Sequence, residues 1–183
     1  AGSSTRTGTS KELDLIIYTD RDNDGEDDSV DNLIGGGSNI NHNYGDLTLF
    51  VNETDTIPGN LEGMQKVEIK NEGITVVEFN FDFDNDTLDL FDIEIKKDTG
   101  DVGSWIIKGL ELPEGETKTI YMNRTNLTLN SVCVKDIELS SISEISTNCD
   151  GGNETKVTCD GLNTDGYTCT LTDLTYKITG LEH

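Results

Sequence analysis

From Asp46 to Met122 apolar residues return at every second position in short runs, and turn-forming residues break the runs roughly every eight to twelve residues. Leu47 to Val51, Met64 to Lys70, Ile74 to Phe83 and Thr117 to Met122 read as strands, with Phe79, Phe81 and Phe83 on one face. Ile57-Pro58-Gly59-Asn60, Asn71-Glu72-Gly73, Asp98 to Gly103 and the LPEGE run at 112 to 116 read as turns. Leu88 to Lys96 alternates, but Leu88 and Leu90 give way to Asp92 while Phe91, Ile93 and Ile95 take the other face, which predicts a bulge or a change of register. Ser104 to Leu110 is a further strand and carries the single tryptophan, Trp105. No stretch has a helical period, so the cadence predicts an all-β sandwich or barrel. A hydrophobic content of 33% is low but sufficient for a sandwich core.

Upstream lies a stretch of different chemistry, DRDNDGEDDSVDN, from Asp20 to Asn32. Counting Asp20 as position 1, acids stand at 1, 3, 5, 9 and 12 (Asp20, Asp22, Asp24, Asp28, Asp31), with Gly25 at position 6. A hard cation such as Ca2+ takes about six to eight oxygen ligands, and a loop of about twelve residues with this spacing supplies them. Gly25 permits the turn that lets the first three carboxylates converge, and Glu26 at position 7 is expected to offer its backbone carbonyl. Asp31 stands where a longer, bidentate Glu usually closes the cage. Without a cation so many neighbouring acids would repel one another.

The DxDxDGxxDxxDN string resembles the calcium repeats of thrombospondin type 3 modules and, more loosely, an EF-hand or dockerin loop. The resemblance covers these thirteen residues alone, with no second copy and no flanking amphipathic helices, and it implies one Ca2+ staple in a β protein rather than a calcium sensor. A second candidate cation site is FNFDFDNDTLD, with Asp82, Asp84, Asp86 and Asp89; it has no turning glycine, and an acidic solvent face opposite the phenylalanines accounts for it equally well.

Four cysteines, Cys133, Cys149, Cys159 and Cys169, lie in the last third of the chain and form no CxxC pair, which argues against a zinc ribbon and for two disulfides made in an oxidising compartment. Three pairings are open; the turn around Asn163 to Gly166 favours Cys159–Cys169, which leaves Cys133–Cys149. Sequons stand at Asn52, Asn85, Asn123, Asn126 and Asn153. Together with the cysteines and the acidic loop they predict a secreted, glycosylated protein. The net charge of −23 argues against nucleic acid or an anionic membrane as partner and favours divalent cations, a cationic surface or a saline medium. No apolar run reaches membrane-spanning length.

The KVEIKNEG strand and turn, the long strand after it, and LELPEGETKTIYM resemble the Ig-like, CARDB-type repeats of microbial and archaeal surface proteins over roughly residues 47–140, and the Cys-bearing tail is similar to segments of archaeal secreted surface proteins. The resemblance implies an Ig-like antiparallel β-sandwich. The expected organisation is an N-terminal arm, strand and calcium loop at 1–46, the sandwich at 47–140, and Cys-containing strands at 141–183 packed on it or completing it. In the tail the expected strands are Ser131 to Ser140, Thr155 to Cys159, Tyr167 to Leu171 and Tyr176 to Thr179. Residues 1–10 are expected to be a flexible arm, Lys11 to Thr19 a strand with Leu13, Leu15 and Ile17 on one face, and GGGSNINHNYG a flexible or wrapped loop.

Catalysis finds little support. The histidines, His42 and His183, lie in a loop and at the terminus, and no nucleophile elbow, HExxH or phosphate-binding loop occurs. Trp105 leads the apolar run WII and reads as core rather than a sugar platform. The expected function is therefore a non-enzymatic, extracellular structural role: a calcium-stabilised subunit of a surface filament or sheath, self-associating by donation of the N-terminal strand. The alternative is a cell-surface adhesion or carbohydrate-binding module whose partners are glycans or other surface proteins.

Overall fold

The computed structural model describes residues 19–43, 45–57, 59–98, 103–172 and 174–183. The expected arm at 1–10 and, apart from Thr19, the expected strand at Lys11 to Thr19 lie outside these described residues. The strands are β1 Leu33–Ile34, β2 Asn41–His42, β3 Leu47–Val51, β4 Met64–Asn71, β5 Ile74–Asp82, β6 Leu88–Asp89, β7 Glu94–Asp98, β8 Ser104–Lys108, β9 Lys118–Asn123, β10 Ser131–Val134, β11 Thr155–Thr158, β12 Asn163–Thr164, β13 Tyr167–Thr172 and β14 Thr175–Leu181. The fold is all-β, with two short three-ten turns at Gly37–Asn39 and Ile142–Glu144. Among the described residues no helix is long and apolar enough to cross a membrane.

One layer is a seven-stranded antiparallel sheet in the order β12-β13-β14-β9-β5-β4-β3. Edge strand β3 and inner strand β5 obey the period of two. In β3, Leu47, Leu49 and Val51 are buried while Thr48 is exposed; in β5, Val77, Phe79 and Phe81 are buried while Asn80 is exposed. The phenylalanine stripe continues into Phe83, whose ring centroid lies 5.0 Å from that of Phe81. Against this sheet pack three smaller ones, of which the parallel pair β1-β6 adds Leu88 to the larger core. The three-stranded sheet β2-β7-β8 contributes Ile95 and Ile107 to the same core as β3, β4 and β5. The hairpin β10-β11 contributes Val134 and Val157 to a second core with Cys169, Tyr176, Ile178 and Leu181 from β13 and β14. Ile120 of β9 packs against both cores.

Some expectations are corrected. The run from Leu88 to Lys96 is not one strand: Leu90 and Ile93 are both fully buried, and the chain turns between β6 and β7, where Asp92 N–H donates to the Asp89 carbonyl at 3.3 Å, to send both inward. The glycine-rich run at 35–45 is wrapped, as expected, but it includes β2, and β1 precedes it; β1 pairs with β6 and β2 with β7, both in parallel, so the second layer is not purely antiparallel. The strand expected from Ser131 to Ser140 stops at Val134. Beyond it Leu139 turns into the core, and Glu144 accepts from the N–H groups of Ser140 (2.8 Å) and Ser141 (3.0 Å), an arrangement that starts a three-ten turn instead of continuing a ladder.

At the end of β8, Gly109 has φ +72°, and a Cβ there would stand 2.0 Å from the Asp92 carbonyl oxygen. Both the left-handed backbone and the close approach require glycine. Gly109→Ala is expected to destabilise the protein by about 1–3 kcal/mol, read as a lower thermal midpoint.

Candidate metal centre

The acidic loop is built from its own backbone. Thr19 N–H donates to Asp27 Oδ2 at 3.1 Å, and Asp28 N–H donates to the Thr19 carbonyl at 2.6 Å, which closes the loop at its base. Two left-handed residues, Asn23 (φ 61°) and Gly25 (φ 100°), fold the chain between those points. Asp24 Oδ1 accepts from Glu26 N–H at 2.8 Å, Asp20 Oδ2 from Gly25 N–H at 3.3 Å, and Asp22 Oδ2 from Gly35 N–H at 2.6 Å. The result places one carboxylate oxygen each from Asp20, Asp22 and Asp24 within 4.8 Å of one another, a group able to hold a metal ion.

Asp31 makes the arrangement chemically unusual. It is 5% exposed, and only one of its oxygens is used: Oδ1 accepts from Leu33 N–H at 2.9 Å, while Oδ2 is buried with no hydrogen-bond partner. Burial pushes its pKa up; the Leu33 bond opposes that, and the negative charges of Asp24, Asp22 and Glu26 add to the rise. Among the described residues four buried side-chain polar atoms lack a partner, and three belong to this loop: Asp20 Oδ1, Glu26 Oε2 and Asp31 Oδ2. A buried, unpaired carboxylate oxygen costs on the order of several kcal/mol, a cost that a positive charge among the three would offset. The donors are all hard oxygens, which suits Ca2+ and not a thiolate- or imidazole-seeking metal.

Two of the expected ligands stand apart from the Asp20, Asp22 and Asp24 group. Glu26, expected to offer its backbone carbonyl, also has a buried side-chain oxygen, Oε2, without a partner. Asp28 is turned to Arg21: Oδ1 accepts from Arg21 N–H at 3.0 Å and Oδ2 from its Nε at 2.7 Å, so its carboxylate is engaged by the arginine. Arg21 also reaches Asp89 with Nη2, and its guanidinium lies 5.2 Å from the Phe91 ring centroid. This clamp ties the loop to β6 and the turn after it. An arginine at position 2 of so acidic a loop was the available signal for it.

Asp82, Asp84, Asp86 and Asp89 do not assemble into a cation site among the described residues. Asp82 accepts from Asp84 N–H (3.2 Å) and Asn85 Nδ2 (2.6 Å), Asp84 accepts from Gly63 N–H (2.8 Å), and Asp89 serves Arg21 and Phe91 N–H (3.0 Å). Asp86 is exposed, and its N–H donates to the Asp82 carbonyl at 3.0 Å. These acids order the turn from β5 to β6, and an acid directly after a strand is used as a cap here rather than as a ligand.

The cysteines pair as Cys133–Cys149 and Cys159–Cys169. Two disulfides point to an oxidising environment. Glu154, beside the first of them, accepts from Ser146 Oγ–H (2.5 Å), Ser146 N–H (2.7 Å) and Gly151 N–H (2.8 Å) and stands 3.7 Å from Lys135; these bonds, that from the Ser146 hydroxyl first, bring its pKa down to about 2. Its proximity to Cys133 and Cys149 makes no metal site, because both sulfurs are in the disulfide. Of the sequon asparagines, Asn52, Asn85, Asn123 and Asn153 are exposed and Asn126 is half-buried. Trp105 is half-buried against the larger core, with Lys97 Nζ 5.6 Å from its ring centroid, and His42 lies in β2. The chain matches no protein-family model, no curated protein and no solved structure.

Proposed function

We propose that the protein is a non-enzymatic, extracellular structural module, a subunit of a surface filament or sheath whose sandwich is braced by one Ca2+ and two disulfides. The three buried carboxylate oxygens without partners, at Asp20, Glu26 and Asp31, carry this reading. Asp20, Asp22, Asp24, Glu26 and Asp31 hold the ion, and Asp28 positions the loop through Arg21. What the ion does is mechanical: it neutralises acids that repel one another and fixes the segment entering at Thr19 onto β1 and β6 through the clamp at Asp89.

Calorimetric titration of chelator-stripped protein should give one calcium site, weakened at least tenfold by Asp31→Asn, with magnesium binding more weakly. No binding heat and no sensitised terbium luminescence would sink the reading. Negative-stain microscopy then examines assembly: filaments that loosen in chelator are expected, since the ion sits at the root of the segment proposed to make the contact.

A further inference from the structure

The acidic loop is walled on one side by the connection from β3 to β4, through its residues 59–63. Gly59 stands beside Glu26: a Cβ there would be 3.3 Å from Glu26 Oε1, and the other oxygen, Oε2, is buried without a partner. Glu62, the one acid of this segment, is exposed. What ties the segment to the loop is Asn32, the neighbour of Asp31. Its Nδ2 donates to the Leu61 carbonyl at 2.6 Å and to the Phe83 carbonyl at 2.9 Å, and its Oδ1 accepts from Leu61 N–H at 3.0 Å. The Asn32 carbonyl accepts from Leu88 N–H at 3.0 Å. Among the described residues, the hydrogen bonds between Asp20–Asn32 and 59–63 all run through this one side-chain amide. Its pairing with Leu61 copies a rung of a β ladder, with a side chain in place of one backbone. An aspartate of the same size has no hydrogen to give the two carbonyls.

We infer that Asn32 is a positioning residue of the cation centre: its amide latches residues 59–63 over the acidic loop, so that a cation enters and leaves when this segment opens. The inference rests on the calcium-braced reading above. A site walled by a neighbouring connection exchanges its ion at the rate at which the wall opens, and that rate is set by the bonds that break with it. Here those bonds are the two to Leu61. The opening stays local. The far end of the segment is tied to the turn after β5, where Gly63 N–H donates to Asp84 Oδ1 at 2.8 Å and the Gly63 carbonyl accepts from Phe83 N–H at 3.1 Å. Those bonds survive the loss of the latch, so β4 and β5 keep their pairing. Closure and binding favour each other, because without a cation the repulsion of Glu26 by the neighbouring carboxylates pushes against the same wall.

Hydrogen exchange read by mass spectrometry on the full native chain tests the closure. Calcium should slow exchange in peptides covering 59–63 as well as in those covering 20–32, although no residue of 59–63 is assigned as a ligand. Stopped-flow release of calcium into excess fluorescent chelator tests the latch. Asn32→Ala should still bind calcium, release it roughly tenfold faster or more, and lose the protection at 59–63 while keeping it at 20–32. Asn32→Asp separates latch from charge. An added carboxylate beside the cage would slow release if charge governed it, whereas a latch that needs both amide hydrogens predicts release as fast as from Asn32→Ala. Protection confined to 20–32 in the native chain, release from Asn32→Ala at the native rate, or release from Asn32→Asp no faster than native overturns the latch and leaves the braced module. Absent calcium binding by the native chain removes the module reading itself. If the variants fail to fold, the exchange pattern of the native chain decides alone.

Discussion

Saturating calcium is expected to raise the melting temperature of the chelator-stripped protein by roughly 5–10 °C. A ligand at about a hundred times its dissociation constant adds about 2.7 kcal/mol to a native state that alone binds it, and for a chain of this size each kcal/mol moves the midpoint by about 2–4 °C. The variants should separate the roles within the loop. Asp31→Asn replaces a buried charge lacking a partner at Oδ2 with a neutral amide that keeps an oxygen for Leu33 N–H, so the calcium-free variant should melt higher than the calcium-free native protein. The same variant should lose most of the calcium-induced rise, because it has given up a charged ligand. Asp28→Asn should do the reverse: it weakens the bond to Arg21, lowers the calcium-free midpoint, and leaves most of the calcium response in place. Differential scanning calorimetry with and without calcium reads all three. Equal calcium responses in native protein and Asp31→Asn would contradict the ligand assignment.

How far the sequence reached is clearest where local chemistry governed the outcome. The alternation in Leu47 to Val51 and Ile74 to Phe83 became strands within a residue or two because a half-buried strand enforces a period of two. Cys159–Cys169 was legible because the chain reverses between them: β12 pairs with β13 across the turn at Asp165-Gly166, and Gly161 N–H donates to the Cys169 carbonyl at 3.0 Å. The acids at Asp20, Asp22 and Asp24 were legible because their convergence depends on the loop alone. What was not legible depended on partners distant in sequence. Asp28 and Asp89 have the composition of ligands, but Arg21 takes both, and the meeting of Arg21 with Asp89 exists only once the loop packs on β6. The parallel pairing of β1 with β6 and β2 with β7 joins segments too short to show a period. The division of the smaller strands into separate sheets is a property of sheet order, and no run of residues announces it.

Lys118 supplies the other large expected effect. It is 1% exposed in β9, opposite Leu181 of β14, and its Nζ has no hydrogen-bond partner. Burial brings its pKa down to about 8, with Asp136 and Glu138 pulling it partly back; neither makes a bond to it. Asp136 instead accepts from the N–H groups of Glu182 (2.8 Å) and His183 (2.7 Å). A basic group whose folded pKa is lowered binds fewer protons in the native state than in the unfolded chain, so stability rises with pH from about 8 towards the unfolded lysine range. The full span between about 8 and 10.5 corresponds to about 3 kcal/mol. Tyr121 and Tyr167, both held above the usual tyrosine range, chiefly by burial, oppose the rise near pH 10, so the slope is best read between about pH 8 and 9.5. Lys118→Met keeps an unbranched side chain one atom shorter and removes the charge. It should stabilise the protein by about 1–3 kcal/mol at pH 7 and flatten the alkaline rise, which the tyrosines alone cannot do because they are present in both proteins. Urea unfolding of native chain and variant across that pH range isolates the lysine by difference. A variant less stable than the native chain at pH 7, with the alkaline rise unchanged, would mean that the ammonium is satisfied where it sits.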